Sequence, residues 1–488
     1  MNQAPDSSSS HAAVPAAVVL SSTGEQVADA RGQFSWALFE FARSPYVSLV
    51  FIFVFAPYFA NVVVGDPVRG QELWGLGNTI VGILIAVLAP ILGAISDRMG
   101  RRKTWLAGIV AIMAPGCMAL WFAMPGGEGG LPVILILVLV TSMLACFQIS
   151  EVFHNAMLPS IALPSRIGRL SGLGLAVGNS GTLAALIIML FGIALPASGL
   201  VDWPFLPETP LFGLNPEAQE HNRIAGPFAG LWLIIFSIPL FLWTPDRAST
   251  GVTARQAVGQ GLRQLLLTVK KVRQVSNVGL YLLARMFYND GKVAILAYTG
   301  IYAAGTFQWG LVEMLIFAIV LTPFSISGGL LGGRIDDLLG SRRAIQLSIG
   351  GTIVFMIGAV TTNPKQLFLF FPYDSLAAGP VWSSPYFSTL PELIYLFMFM
   401  LMAFSITAAF TSSRSMMARI APVSMMSQFF GLYALSGSAT AFLGHGTVTF
   451  FTRISNSQAV GFASVVILLS LGLLILHWVH EERAADII

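Results

Sequence analysis

Charge is scarce in this sequence. Of its 488 residues only 10% are Asp, Glu, Lys or Arg, while 55% are hydrophobic and the mean hydropathy is +0.77. Soluble globular domains carry about 25% charged residues, so this composition excludes a water-soluble enzyme of this size. The 48 glycines and 26 prolines follow no triplet period, which excludes a collagen-like chain.

Cysteines and recognisable catalytic motifs are also scarce. The two cysteines, Cys117 and Cys146, lie inside apolar runs, so no disulfide framework or Cys-x-x-Cys metal site is available. The sequence contains no HExxH, P-loop or serine nucleophile elbow, so we expect no metal, no cofactor and no enzymatic activity. The net charge of +3 gives no indication of a nucleic-acid partner. Without a Walker motif, any energy must come from a gradient.

Long apolar runs fill most of the chain. At about 20 residues for each membrane helix, its length allows on the order of 12 spans. The runs are far longer than a strand, which argues against an outer-membrane barrel. Two sets of six begin near Phe34, Leu73, Thr104, Leu131, Leu170 and Phe228, and near Val278, Leu311, Ala344, Leu390, Phe429 and Ala459. The sequence therefore predicts an all-α, multi-pass membrane protein.

This layout divides the chain into five predicted parts. Residues 34–246 and 277–480 form two six-helix halves, and the basic, amphipathic segment 247–276 joins them in the cytoplasm. Residues 1–33 lack a basic n-region, and their apolar stretch is broken by Pro and Ser, so we interpret them as a mobile cytoplasmic tail. Residues 481–488 form a second cytoplasmic tail.

The basic residues lie almost entirely on one side of the predicted membrane. The outer loops receive four: Arg69, Arg223, Lys365 and Arg453. The inner side receives the six of the linker together with Arg98, Arg101, Arg102, Lys103, Arg166, Arg169, Arg334, Arg342, Arg343 and Arg419. By the positive-inside rule both termini are cytoplasmic, and we expect a monomer in a bacterial inner membrane.

Two predicted inner loops repeat each other across the halves. Residues 93–103 read GAISDRMGRRK and residues 333–343 read GRIDDLLGSRR. Repetition at equivalent points of two halves is typical of internally duplicated transporters. We interpret the loops as a conformational latch between helices, or more simply as topology anchors, and both roles are compatible. The latch residues are Gly93, Asp97, Arg98, Gly100, Arg101, Asp336, Gly340 and Arg342.

These loops resemble the inner-loop signature of the major facilitator superfamily, G-x-x-x-D-R-x-G-R-R/K. Four further patches resemble one branch of it, which includes the fungal vacuolar amino-acid effluxer of autophagy and many bacterial relatives. They read WALFEFARS at 36–44, NAMLP and GRLSGLG at 155–159 and 168–174, LARMFYNDG at 283–291, and FGLYALSG at 430–437. The resemblance covers residues 34–480. It implies the major facilitator fold, with 12 transmembrane helices in two pseudo-symmetric halves and helices 1, 4, 7 and 10 around a central cavity.

Ionisable residues inside the apolar runs fall on those four helices. A charge at the bilayer centre costs at least about 2.5–3.5 kcal/mol, so such residues are rarely idle. Glu40 and Arg43 share a helical face at i, i+3, as do Arg285, Tyr288 and Lys292, whereas Asp290 is expected to face helix 1 or helix 4. The candidate substrate and proton site comprises Glu40, Arg43, Glu151, Arg285, Asn289, Asp290, Lys292 and Arg414.

The functional hypothesis gives these residues two roles. Arg43, Arg285 and Lys292 would hold an anionic group, while Glu40, Glu151 or Asp290 would bind and release a proton as access alternates. The alternative is a static network holding the halves together, and we interpret His154 as a hydrogen-bonded core histidine.

Departures from the branch's pattern affect the expected substrate. Glu40 stands in place of Asp, Arg43 in place of Asn, and Lys292 where neutral residues are common. The extra cations favour a solute with a carboxylate, phosphate or other anionic group. We therefore predict a secondary transporter of a small organic solute, an amino acid or related compound, coupled to protons and working as an exporter.

Two other classes of protein fit the composition. A receptor or scaffold on the same fold should fill the cavity with apolar side chains. An integral-membrane enzyme needs a clustered catalytic set, and the sequence shows none.

Overall fold

The computed structural model describes residues 27–127, 129–163, 167–200, 203–246, 256, 258–259, 276–421, 432–433, 436–437 and 440–481. Its longer helices number twelve. In the first half they are α1 Ala30–Pro45, α2 Pro67–Met99, α3 Arg102–Ala119, α4 Val133–Ile161, α5 Ile167–Met189 and α6 Ala225–Trp243. In the second half they are α7 Ser276–Phe307, α8 Leu311–Leu339, α9 Ser341–Val360, α10 Leu390–Ile420, α11 Ala441–Ser455 and α12 Val465–Leu476.

Shorter elements extend or connect these helices. Around the first half, three segments are π-helical: Tyr46–Phe53, Phe59–Val63 and Leu190–Ala194. Three short α-helices accompany them: Phe55–Tyr58, Leu195–Ser198 and Glu220–Arg223. The 3₁₀ turns are Leu120–Phe122, Pro125–Gly127 and Leu211–Gly213. In the second half, strands β1 Gln366–Leu367 and β2 Phe371–Pro372 form an antiparallel hairpin, and Ser375–Ala378 and Gln458–Ala463 are short helices.

Side-chain caps explain where several helices start. The Asp29 carboxylate accepts from the Gly32 backbone N–H at 2.7 Å, so α1 begins at Ala30, four residues before the predicted start. At α10, Thr389 and Glu392 form a reciprocal capping box.

Ten helical segments of the described chain are long and apolar enough to cross a membrane. They correspond to α1–α6, α8–α10 and α12, with their short extensions. Helix α7 is 32 residues long but carries Arg285, Asp290 and Lys292, which lower its hydropathy. Fifteen residues form α11. The fold agrees with the predicted all-α membrane architecture, and the count of twelve spans stays a prediction.

The two halves meet most closely along α2 and α11 and along the continuation of α1 against α7. Glycines allow this approach. A Cβ on Gly300 would lie 2.0 Å from the Ile52 carbonyl oxygen, and one on Gly82 would lie 2.6 Å from the Phe442 backbone nitrogen. The Ile52 carbonyl that approaches Gly300 lies in the π-helical segment after Pro45. There the Val54 N–H donates to the Leu49 carbonyl five residues back, rather than four as in an α-helix.

At one end of the bundle, polar side chains also join the halves. Gln71 donates to the Thr452 hydroxyl at 2.8 Å and to the Gln458 carbonyl at 3.2 Å, and Gln458 donates to the Pro67 carbonyl at 2.7 Å. We call this the closed end.

The opposite end carries the repeated loops at Gly100 and Gly340 and is called the motif end. The described bonds of Asp246 and Glu481 at this end lie within their own halves.

Candidate functional site

The predicted charged residues of α1 and α4 come together, and with His154 they are called the N-half cluster: Glu40, Arg43, Glu151 and His154. Arg43 holds Glu40 with two parallel bonds, from Nε at 2.8 Å and from Nη2 at 2.9 Å. Its third nitrogen, Nη1, has no hydrogen-bond partner in the described structure and lies 3.9 Å from a Glu151 oxygen. The Arg43 and Glu40 side chains are 7% and 17% exposed, whereas Glu151 is 51% exposed. The pair is thus largely dry, and Glu151 marks its solvent side.

His154 lies against this pair. Its side chain is fully buried, its Nδ1 is 3.1 Å from Glu40 Oε1, and its Nε2 is 2.9 Å from the Trp36 carbonyl oxygen. The ring stacks on the Trp36 indole with 4.4 Å between centroids and 7° between planes. Trp36 Nε1 donates in return to the His154 carbonyl at 3.0 Å. The buried, hydrogen-bonded position agrees with our interpretation of a core histidine, and the contact with Glu40 adds a charged partner to it.

Glycines of α5 make room for the pair. A Cβ on Gly174 would lie 3.0 Å from the Trp36 ring, and one on Gly178 would lie 3.1 Å from the Glu40 Cβ. These glycines allow α5 to press directly on the side of α1 that carries Trp36 and Glu40.

Two predicted residues of α7 bind backbone carbonyls rather than lining an open space. Arg285 Nη1 donates at 2.7 Å both to the Tyr433 carbonyl and to the Ser436 hydroxyl, and its guanidinium lies 3.6 Å from the Tyr433 ring centroid. Asn289 Nδ2 donates to the Gly437 carbonyl at 3.4 Å. Both side chains are buried and tie α7 to the segment before α11.

Lys292 lies on the same face as Arg285 and Tyr288, as predicted. It is fully buried, and its Nζ is 3.5 Å from the Phe410 ring centroid with no hydrogen-bond partner among the described residues. Arg414 on α10 is exposed. Together with Arg285 and Asp290 they make the C-half cluster, which has three basic residues and one acidic residue.

Asp290 lies on α7 where that helix packs against α11. It is 1% exposed, and neither carboxylate oxygen has a hydrogen-bond partner in the described structure. Its backbone packs against α11, where a Cβ on Gly444 would lie 2.6 Å from the Asp290 carbonyl oxygen. The expectation that the Asp290 side chain faces helix 1 or helix 4 stays a prediction.

The two loops at the motif end are built alike. Gly100 and Gly340 end α2 and α8 with φ of 70° and 84°, a conformation that favours glycine, and Arg101 follows with φ of 52°. An acidic residue that follows the last helix of each half then caps the helix after the glycine, α3 or α9. Asp246 accepts from the Arg102 and Lys103 backbone N–H groups at 3.0 and 3.1 Å.

The cap in the second half is Glu481. It accepts from the Ser341 and Arg342 backbone N–H groups at 2.8 and 3.2 Å. Arg419 joins it at 2.6 Å and also holds Asp336 at 2.9 Å. Partial burial opposes ionisation, but the two backbone donors and the Arg419 guanidinium hold the pKa of Glu481 below its usual range.

The predicted latch residues of the second half bond within that half. Asp336 binds Arg419, and Arg342 Nη2 donates to the His477 carbonyl at 2.6 Å, so both act within the second half. Gly93, Asp97 and Arg98 lie on α2, but their side-chain positions are outside the described residues. A latch between the halves stays a prediction.

The comparisons with known proteins agree with this architecture. A family model described as "Vacuole effluxer Atg22 like" matches residues 76–486. The chain belongs to this Atg22-like family. The family confirms the resemblance seen in the sequence patches. A relative in Bacillus subtilis (strain 168), an uncharacterized MFS-type transporter called YxiO, is 25% identical over 93% of this chain and 96% of its own length.

Autophagy-related protein 22 of Yarrowia lipolytica is 22% identical to the Atg22-like chain over 57% of this chain and 44% of its own length. Among solved structures, a D-xylose-proton symporter superposes with a TM-score of 0.61 at 12% identity, over 93% of this chain and 97% of the other. The inward-open xylose transporter XylE from E. coli gives 0.59 at 13% identity, over 92% and 95%. These likenesses show the major facilitator fold. The protein is an integral membrane transporter of the major facilitator type and not an enzyme.

Proposed function

We propose that this Atg22-like transporter exports a small organic solute with an anionic group, an amino acid or a related compound, by alternating access coupled to protons. The observation that carries the proposal is the state of Arg43. Two of its nitrogens hold Glu40, while the buried Nη1 has no hydrogen-bond partner in the described structure. A buried cationic donor without a partner is costly, and a carboxylate or phosphate oxygen of a solute would satisfy it.

The balance of charge between the clusters supports an anionic solute. The C-half cluster has Arg285, Lys292 and Arg414 against the single carboxylate of Asp290. Lys292 Nζ, like Arg43 Nη1, lacks a described hydrogen-bond partner. Unpaired positive charge in a membrane interior is unfavourable, and an anion entering between the halves reduces that cost.

The two ends of the bundle support alternating access. Gln71, Thr452 and Gln458 join the halves at the closed end, while the described bonds of Asp246 and Glu481 at the motif end lie within their own halves. The exposed positions of Glu151 and Arg414 are those expected if solute enters from the motif end. Because that end carries most of the basic residues, we propose that it faces the cytoplasm and that both termini lie there, in a bacterial inner membrane.

Transport by the purified protein in proteoliposomes tests the proposal. A panel of amino acids, peptides and organic anions, read with a pH-sensitive dye and by counterflow, should identify a solute that moves with protons. Arg43→Asn and Lys292→Ala should lower its transport at least about tenfold, the effect expected from losing one charge-assisted bond. The exposed Arg69, 55% accessible, provides the control Arg69→Ala, which should transport normally.

Unchanged transport by Arg43→Asn and Lys292→Ala would contradict the anionic-solute assignment. Absence of any counterflow across the whole panel would favour a receptor or scaffold instead.

A further inference from the structure

We infer that Glu40 and His154 together form the site that holds the coupling proton, between His154 Nδ1 and Glu40 Oε1, and that Arg43 links this proton to the solute's anionic group. The inference rests on the proposed function, and it assigns His154 a role beyond that of a core residue. It names one proton site among the several carboxylates of the two clusters.

The hydrogen bonding of His154 fixes where its protons lie. A backbone carbonyl can only accept, so the nitrogen 2.9 Å from the Trp36 carbonyl oxygen, Nε2, must carry a hydrogen. In a neutral imidazole the other nitrogen, Nδ1, then presents a lone pair. That lone pair would face Glu40 Oε1 at 3.1 Å, and two electron-rich atoms at this distance repel each other in a buried site. Nδ1 makes no hydrogen bond in the described structure, and its contact with Glu40 becomes a favourable ion pair only when a second proton lies on Nδ1.

The surroundings keep the ring in this orientation. His154 is 0% exposed and stacks on the Trp36 indole, while the Phe39 ring lies 5.0 Å away. Turning the imidazole over by 180° would keep the stack on Trp36 but would break the Nε2 bond to the Trp36 carbonyl. A protonated ring over an indole also gains a cation–π contribution. The pair therefore holds its proton in a fixed place that solvent does not reach directly.

Arg43 connects this proton to the solute. In the structure, Arg43 and His154 both contact the Glu40 carboxylate, and Arg43 Nη1 lies 3.9 Å from a Glu151 oxygen. An anionic group that draws Arg43 away leaves Glu40 with His154 as its one described charged partner, so the proton is held more tightly. By reciprocity, a proton on the pair weakens the hold of Glu40 on Arg43 and favours the anion. The proton and the anion thus bind cooperatively and travel in the same direction, so export follows the solute's own gradient.

No other described charged group on the neighbouring helices takes the place of His154 beside Glu40. Helix α6 has no titratable residue, and Arg169 of α5 has a side chain outside the described structure. So do Asp97 and Arg98 of α2. The remaining charged residues of α2 and α3 lie toward the bundle ends, and these are Arg69 with Glu72, and Arg102 with Lys103. On α4 the charged neighbour is Glu151, and the α7 cation Arg285 is engaged with Tyr433 and Ser436.

Nitrogen-15 NMR of the histidine-labelled full-length protein tests the proton's position without any solute. Near neutral pH, the signal that disappears in His154→Gln should show both ring nitrogens protonated. In Glu40→Gln the same signal should change to a neutral ring with hydrogen on Nε2. A neutral His154 with bare Nδ1 in the wild-type protein would overturn the inference.

Transport supplies the second readout, with an equimolar mixture of radiolabelled amino acids as the probe. His154→Gln can keep the bond to the Trp36 carbonyl through its amide nitrogen, so the packing around Trp36 should persist. Proton movement per solute should fall at least about tenfold, and counterflow should need a higher solute concentration, because the proton no longer favours anion binding. The buried His445 on α11 has no carboxylate in contact among the described residues, and His445→Gln is the matched control that should keep both activities. Wild-type proton movement in His154→Gln would contradict the inference. Failure of the wild type to move any solute would instead contradict the proposed function, and the NMR result would still decide the position of the proton.

Discussion

The side-chain nitrogen of Gln71 donates to the hydroxyl of Thr452 at 2.8 Å and thereby joins the two halves of the transporter at the closed end. Both side chains are fully buried, so this bond is sealed from water. A carrier working by alternating access must break it in every cycle. On the proposed mechanism, this bond yields when solute and proton bind.

Removing this bond should favour opening of the closed end. In a Cys117→Ala, Cys146→Ala background, we expect Gln71→Ala to raise the labelling rate of a cysteine at Thr449 severalfold with an impermeant maleimide. Thr449 suits this purpose because it faces Gly75 across the same interface. Gln366→Ala in the exposed hairpin is the control and should leave the rate unchanged. An equal rate in Gln71→Ala and the control would contradict a gating role for this bond.

Close approach of the halves should not tolerate a side chain at Gly300. Its added Cβ would lie 2.0 Å from the Ile52 carbonyl oxygen, and a backbone atom cannot move aside cheaply. We expect Gly300→Ala to destabilise the closed end by about 1–3 kcal/mol, the range for overpacked interiors. The same thiol labelling should detect it. Gly350→Ala on α9, where nothing lies within 4 Å, should behave like wild type. Equal labelling of the two glycine variants would refute the steric account.

Two ion pairs with the same i, i+3 spacing differ in burial and should differ in energy. Glu40 and Arg43 are largely buried, while Arg69, which lies 2.7 Å from Glu72, is 55% exposed. Removing Arg43 leaves a carboxylate in a dry site, so Arg43→Ala should lower the free energy of unfolding by about 2–4 kcal/mol. Arg69→Ala should cost less than about 1 kcal/mol. Thermal unfolding in detergent measures both, and similar losses would contradict the burial argument.

The Glu481 cap gives a dependence on pH. Because its pKa is held below the usual range, Glu481 contributes stability above its unfolded pKa, and this contribution is lost as pH falls through the folded value. At neutral pH, Glu481→Gln should lower Tm by about 1–2 °C, a small shift because the group is partly exposed. The difference from wild type should shrink on acidification. Asp337→Asn, at an 82% exposed carboxylate, is the control. A difference that grows in acid would contradict the sign of this effect.

The sequence alone located much of the charged site but could not assemble it. The i, i+3 spacing of Glu40 and Arg43 predicts their pairing, and the face shared by Arg285, Tyr288 and Lys292 follows from helix geometry. His154 is 114 positions from Glu40 in the chain. Their contact depends on how α4 packs beside α1, which no local spacing encodes.

At the motif end, too, the sequence predicted local features but not contacts between distant segments. Its repeated glycines and aspartates were recognisable as a pattern, and the structure places both glycines at positive φ. The caps from Asp246 and Glu481 were missed, because each comes from the chain after the last helix of its half. One sequence feature could have predicted these two caps: an acidic residue stands shortly after α6 and again shortly after α12.

We propose that this transporter moves an anionic solute together with a proton. In proteoliposomes with a pH-sensitive dye, the amino acid that gives the strongest counterflow is compared with the same amino acid as its carboxamide. The carboxylate form should move with protons, the carboxamide should not, and Arg43→Asn should abolish the difference. Equal proton-coupled movement of both forms, or movement of the carboxylate without protons, would refute the proposal.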